Sequence, residues 1–222
     1  MANLKTVLEK LKTKLEKKEK IRETAQNSMR KATSLSKEAI LLIHQSKKKQ
    51  AQQLLAKAKN LINELNATGK EHPEIVYSGL YDAACQEYAE ANIFLKLTEE
   101  NSFLSPKEIG VPPEDYVLGL ADVIGEYRRV ALDALRKGDA KKAEKCLKTM
   151  DEIYVELLAL DEAYMLVSGL RRKCDVARKI IEITRGDVTQ EIRRNSLEKS
   201  LKNFEKTLRK RERASYSSTG RP

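Results

Sequence analysis

Apolar residues recur three and four positions apart along almost the whole chain, the period that a helix with one buried face requires. Leu4, Val7, Leu8, Leu11 and Leu15 open the pattern inside a Lys-rich stretch, and Leu35, Ala39, Leu42 and Ile43 continue it. Leu54, Leu55, Ala58, Leu61, Ile62 and Leu65 form a further segment. Strand-type alternation is nowhere sustained. Trp is absent and only 3 Phe occur, so the core has to be built from Leu, Ile, Ala and Val. With 5 Pro and 9 Gly in 222 residues, stops are few and helices long.

Where stops occur, they carry capping chemistry. Gly69 is expected to close one helix, and Pro73 to stand near the start of the next, over 74–98. The stretch 101–113 is irregular, with a short helical turn at Ser105-Pro106-Lys107-Glu108 ended by Gly110 and Pro112-Pro113. A helix over 114–136 stops at Lys137-Gly138, and Asp139 caps one running to 167. Ser168-Gly169 breaks or bends the chain before a helix over 170–185. Gly186 is expected to stop it, and Asp187 with Gln190 to open a last helix ending near Arg211. The pattern predicts an all-α, single-domain bundle of about seven helices over 1–212, followed by a flexible basic tail at 213–222. The first 25 residues or so are Lys/Glu-rich enough for a protruding or partner-bound helix.

Charge narrows the function. The 43 Lys and Arg exceed the 33 Asp and Glu, a net charge of +10 that suits either a polyanion partner or a solvated Lys-rich surface. No apolar run approaches the ~20 residues that cross a bilayer, and no apolar signal segment opens the sequence. Three widely spaced cysteines without a CxxC pattern indicate reduced thiols, hence a cytoplasmic protein. Only two histidines are present, which excludes a His-based metal cluster or a paired-histidine nuclease. Chemistry on this chain has to come from carboxylates.

Two carboxylate pairs stand out. Glu87 and Glu90 are three apart on a predicted helix, ~60° around its axis, and Asp122 and Glu126 are four apart, ~40° around theirs. Apolar residues flank both pairs: Ala83, Ala84, Ala91, Ile93 and Phe94 around the first, Leu118, Leu120, Ala121, Val123 and Ile124 around the second. Charged carboxylates on apolar faces are costly unless cations pair with them. Two helices each offering two inward acids would make an all-oxygen cluster suited to Mg²⁺ or Mn²⁺. Such an ion could activate water and neutralise charge developing on a cleaved phosphodiester. The same spacing also fits ordinary surface acids paired with helical Lys and Arg. Spacing alone leaves both readings open.

The segment Pro113-Glu114-Asp115-Tyr116-Val117-Leu118-Gly119-Leu120-Ala121-Asp122-Val123-Ile124-Gly125-Glu126 resembles the signature helix of the translin superfamily. Asp122 and Glu126 are the acidic positions that mark its translin-associated factor X branch, and Gln86-Glu87-Tyr88-Ala89-Glu90-Ala91 resembles the other acidic motif of that branch. Ser36-Lys37-Glu38-Ala39-Ile40-Leu41-Leu42-Ile43-His44 is similar to the family's first core helix. Ser168 to Asp175, with Arg185-Gly186, is similar to its C-terminal helices. The likeness runs from about residue 20 to about residue 190, in the expected order, and suits a compact archaeal-type homologue. It implies a helical bundle that self-assembles into a hollow, often octameric shell holding RNA or single-stranded DNA. It also implies Mg²⁺-dependent endoribonuclease activity on single-stranded or unpaired RNA, with Glu87, Glu90, Asp122 and Glu126 as catalytic and metal-binding residues. The alternative is a non-catalytic translin-type oligomer that binds single-stranded RNA or DNA.

One departure from the family pattern redirects the search for nucleic-acid contacts. Translin carries a His/Arg-rich contact stretch shortly before the first acidic motif, where this chain has Tyr77-Ser78-Gly79-Leu80-Tyr81 without a basic residue. The contacts are therefore sought at Arg30, Lys37 and Arg129. Arg129, three residues beyond Glu126, either faces RNA or pairs with that acid. His44 reads as a packed or capping residue, Tyr77, Tyr81 and Tyr88 as a core or interface stripe, and Arg171, Arg172 and Lys173 as surface or interface charges. The basic run from Lys199 to Arg213 reads as a solvated terminal helix.

Overall fold

The computed structural model describes residues 3–160 and 162–219, with residues 162–163 and 212–219 described by backbone alone. Among them are nine helices: α1 Leu4–His44, α2 Lys48–Glu71, α3 Pro73–Val76, α4 Gly79–Glu100, α5 Pro106–Ile109, α6 Pro113–Arg136, α7 Ala140–Leu158, α8 Glu162–Leu166 and α9 Leu170–Thr219. Three of the nine, α3, α5 and α8, are only one turn or so; the helix expected to reach 167 ends at Leu158 before α8, and the two expected over 170–211 form the single helix α9. No helix is long and apolar enough to cross a membrane among the described residues.

The bundle is assembled along a chain of neighbours. α1 packs on α2 and α4, α4 on α6, and α6 on both α7 and α9, which also touch each other. One contiguous apolar cluster threads these contacts, with Met29, Ile62, Phe94, Ile124, Met150 and Leu170 fully buried. Ala32, Ala39, Ala51, Ala58, Ala84, Ala89, Ala91, Ala131 and Ala143 are also fully buried. So many buried alanines let helix axes approach closely, in keeping with a core short of aromatic rings.

Several stops form as their chemistry requires. Ser105 accepts from the Glu108 backbone N–H while the Glu108 carboxylate accepts from that of Ser105, a complete capping box ended by Gly110 at φ 86°. Asp139 accepts from the Lys142 N–H at 3.0 Å, and Gly169 at φ 88° precedes α9. Two glycines read as stops lie inside helices instead. Gly69 belongs to α2, where its bare Cα lets the Tyr77 ring approach: a Cβ there would lie 2.8 Å from the ring. Gly186 lies inside α9, which runs through the capping sequence at Asp187 and on to Thr219. Ile181, Thr184 and Val188 are buried on either side of it, and that packing outweighs the roughly 1 kcal/mol an internal glycine costs. Of the tail expected at 213–222, residues 213–219 continue the α9 backbone, and residues 220–222 lie outside the described residues.

Residues 4–17 of α1 and 196–211 of α9 are exposed throughout, so the outer turns of both helices project beyond the packed bundle, whereas Lys18 already bonds Glu74 and Ile21 packs against the core. The expected protruding N-terminal helix is present.

Gly119 fixes the spacing of α4 and α6. A Cβ at this position would come 2.6 Å from the Gln86 carbonyl oxygen and 2.9 Å from the Glu90 amide nitrogen. Those atoms are backbone of a packed helix and cannot swing aside. Gly119→Ala is therefore expected to destabilise the protein by about 1–3 kcal/mol despite alanine's better helix propensity. Gly186→Ala, with nothing within 4 Å of its new Cβ, is expected to stabilise it by about 0.5–1 kcal/mol. Urea unfolding of the two variants checks the opposite signs.

Candidate functional site

The close approach at Gly119 brings the two acid pairs together. Glu87, Glu90, Asp122 and Glu126 all line one open cleft of about 600 Å³, together with Lys37, Gln86, Arg129 and Lys173. Glu87 and Glu90 come from α4, Asp122, Glu126 and Arg129 from one face of α6, Lys37 from α1 and Lys173 from α9. Four helices that are distant in sequence thus meet at one polar cleft.

Three of the four acids are met by cationic or ionisable side chains. Lys173 Nζ lies 2.5 Å from both carboxylate oxygens of Asp122, and Gln86 Nε2 donates to Asp122 Oδ2 at 2.6 Å. Lys37 Nζ stands 3.2 Å from Glu87 Oε1. The buried His44 ring contacts the Glu126 carboxylate through Nε2 and packs against Phe94 at a 42° tilt, with ring centroids 4.9 Å apart. The fourth acid, Glu90, is only 6% exposed and has no ion-pair partner among the described residues. Burial pushes its carboxyl up to about 9, reinforced by the negative charges of Asp122, Glu87 and Glu126 and only partly opposed by Lys173. At neutral pH Glu90 therefore keeps its proton.

The basic residues sort themselves differently. Lys37 and Arg129 both reach the cleft, and Arg129 is exposed and forms no ion pair among the described residues. The contact to Glu126 that Arg129 was one candidate to make is made by His44. Arg30 is exposed two turns before Lys37 on α1, bonded to Asn27 at 3.5 Å, and does not line the cleft. Its side chain stays on the same stripe of α1, seven residues from Lys37.

Three contributors went unassigned in the sequence. Lys173 reads there as a surface or interface charge, His44 as a packed residue, and Gln86 as no more than part of a motif. His44 is indeed packed, but against an acid. The one available signal was electrical: four acids on apolar faces demand cations, and His44 and Lys173 each follow apolar residues at helical spacing.

Chemically, the cleft offers an all-oxygen donor set with one proton held where several carboxylates repel each other. Among the described residues no three or more such groups converge as a ready-made cage. The donors suit a hard divalent cation, and such an ion would relieve the repulsion that now protonates Glu90. In donor chemistry, though not as a preformed cage, the residues suit Mg²⁺ or Mn²⁺, with Lys37 and Lys173 as the counter-charges in the fold as it stands.

A folded-state value near 9 against an ordinary glutamate near 4.5 means that unfolding releases a proton between those pH values. Stability is then lost as pH rises through that window. Glu90→Gln imitates the neutral acid, so in metal-free buffer it is expected to raise the unfolding temperature at pH 8 and to bring little gain at pH 5. A gain equal at both pH values, read by thermal melts, would contradict a protonated Glu90.

Residues 16–183 match the Translin family. An uncharacterized protein of Methanocaldococcus jannaschii is 38% identical over 131 residues, 59% of this chain and 58% of the relative's length. Among solved structures, AfC3PO in complex with duplex RNA is 37% identical with a TM-score of 0.73, covering 83% of this chain and 95% of that one. AfC3PO alone is 38% identical with a TM-score of 0.74, over 83% and 96% of the two chains. Apo-NeC3PO is 25% identical with a TM-score of 0.75, over 86% and 98%.

Proposed function

The chain belongs to the translin family, and on that premise we propose that it is a Mg²⁺-dependent endoribonuclease that cuts single-stranded or unpaired RNA. In this reading residues 1–212 act as one translin-like domain in the cytoplasm. Copies of it self-assemble into a hollow oligomer, an octamer, that encloses the RNA. The observation that carries the reading is the convergence of Glu87, Glu90, Asp122 and Glu126 on one cleft with the uncommitted guanidinium of Arg129. RNA as the polyanion is supported by the likeness to AfC3PO, which has been captured on duplex RNA.

The four acids would hold the ion. When bound, it supplies Lewis-acid polarisation of the phosphodiester and a water deprotonated near neutral pH. The chain's own groups do the rest. Arg129 presents a planar fork of donors at the cleft wall, suited to a phosphate. Lys37 is 62% exposed on a flexible stem and reaches phosphate from the α1 side. Lys173 and Gln86 fix the Asp122 carboxylate, and His44 fixes that of Glu126, so the acids are oriented before any ligand arrives.

A second reading is binding without cutting, by the same oligomer on single-stranded RNA or DNA. The observation in its favour is that Lys37, His44 and Lys173 already engage three of the four acids.

Cleavage assays on labelled single-stranded and duplex RNA, with Mg²⁺ and with EDTA, separate the two. Wild type is expected to cut only with Mg²⁺. Glu87→Ala and Asp122→Ala are each expected to lose more than the roughly 10–100-fold that outer partners of a metal site cost, while still binding RNA. Equal cutting by these variants would remove the assigned site, and binding with no cutting by wild type would leave the second reading. Arg129→Ala is expected to weaken RNA binding and to lower the slope of log affinity against log salt by about 0.7–1, as loss of one phosphate contact does. An unchanged slope would take Arg129 out of the interface.

A further inference from the structure

The two projecting arms of the bundle are complementary to each other, and both lie outside the stretch 16–183 shared with the family. Among the exposed apolar residues of the α1 arm, which also include Val7, are Leu4, Leu8, Leu11 and Leu15; beyond Ile192 on α9 they are Leu197, Leu201, Phe204 and Leu208. Each set repeats with spacings of four, three and four, the a/d seam of a coiled coil. All eight are between 43% and 70% exposed, so neither seam is covered by the described residues.

We infer that residues 4–15 of one copy pair antiparallel with residues 197–208 of a second copy. In that register Leu4 faces Leu208, Leu8 faces Phe204, Leu11 faces Leu201 and Leu15 faces Leu197. Every layer joins an a position to a d position, which antiparallel seams require. Charge selects the partner. The residues following Leu4 and Leu11 are Lys5 and Lys12, and those following Leu197 and Phe204 are Glu198 and Glu205. The same register sets Lys5 against Glu205 and Lys12 against Glu198 along one edge. Two α1 arms packed antiparallel would instead bring Lys5 against Lys12, and two α9 arms Glu198 against Glu205.

The seam also has a defined end. One layer further in, Lys18 would meet Arg194, a repelling pair, and Lys18 is already bonded to Glu74 at 2.7 Å. Four layers are short for an isolated coiled coil. Two copies related by a two-fold axis form the seam twice, and a shared oligomeric core would hold the arms at high effective concentration. The pairing uses none of the cleft residues, so it stands or falls separately from RNA cutting.

Disulfide trapping between full-length chains tests it. The native cysteines, Cys85, Cys146 and Cys174, are all buried and do not interfere. Leu8→Cys protein mixed with Phe204→Cys protein under mild oxidation is expected to give a mixed cross-linked dimer, identified by mass spectrometry of the joined peptides. Dimers of either variant with itself are expected only in trace amounts. Charge reversal of Lys5 and Lys12 to Glu is expected to slow mixed cross-linking about fivefold, the scale of two exposed ion pairs, and Glu198→Lys with Glu205→Lys to restore it. Circular dichroism confirms that the variants keep their helix. Same-variant dimers in equal yield, no cross-linking, or failure of the reversed charges to compensate would each overturn the proposal. So would a chain carrying both substitutions that closes its disulfide on itself.

Discussion

Holding four carboxylates at one partly buried cleft is the constraint from which the rest of the architecture follows. Like charges gathered at one partly buried site repel, so a fold can keep them together only by supplying cations, hydrogen-bonding partners or protons. This chain uses all three. Asp122 is clamped by Lys173, Glu87 is met by Lys37 and Glu126 by His44, and Glu90 retains a proton. None of those partners is local in sequence. The site therefore exists only when α1, α4, α6 and α9 are docked, and the chain of contacts from α1 through α4 and α6 to α9 is the scaffold that docks them.

Gly119 is where packing and chemistry touch. Its hydrogen lies against the backbone of α4 at Gln86 and Glu90, the turn that carries both the amide bonded to Asp122 and the buried acid. A side chain there would widen the α4–α6 gap, and the clustered carboxylates would move apart with it. The alanines lining the same interfaces act alike, trading side-chain volume for short axis distances. Arg128 closes the other side of α6 by donating to the Ile180 carbonyl at 3.3 Å and to Thr184 at 2.8 Å, so α9 cannot drift from the face where Lys173 reaches Asp122.

What the sequence made legible divides along the same line. The acid pairs, the capping box at Ser105, the Asp139 cap and the projecting α1 arm are local patterns, and each stands where its spacing places it. Lys173, His44 and Gln86 were not read as site residues because their partners are 36 to 82 residues away. The glycines show the same limit. Gly69 and Gly186 carry the local signature of a helix end, yet the Tyr77 ring beside one and the buried residues flanking the other carry the helix through. Local chemistry gives the punctuation of a chain. Whether a mark is obeyed depends on what packs against it.

The long helices follow a second logic, that of segments which bury nothing in their own chain. Beyond Asn195 the described side chains of α9 are all exposed, and so are those of α1 before Ile21. Helix there is sustained by propagation from the packed turns, which have already met the cost of nucleation, and by local pairs such as Lys12 with Glu16 and Arg194 with Glu198. An arm already helical in the free chain loses little further conformational freedom when it meets a partner. Its apolar seam stands ready at small entropic cost, and the charges beside that seam decide which surface it accepts. The same balance that orders the cleft, apolar contact for affinity and opposed charge for selection, operates again on the outside of the bundle, without any of the cleft's residues.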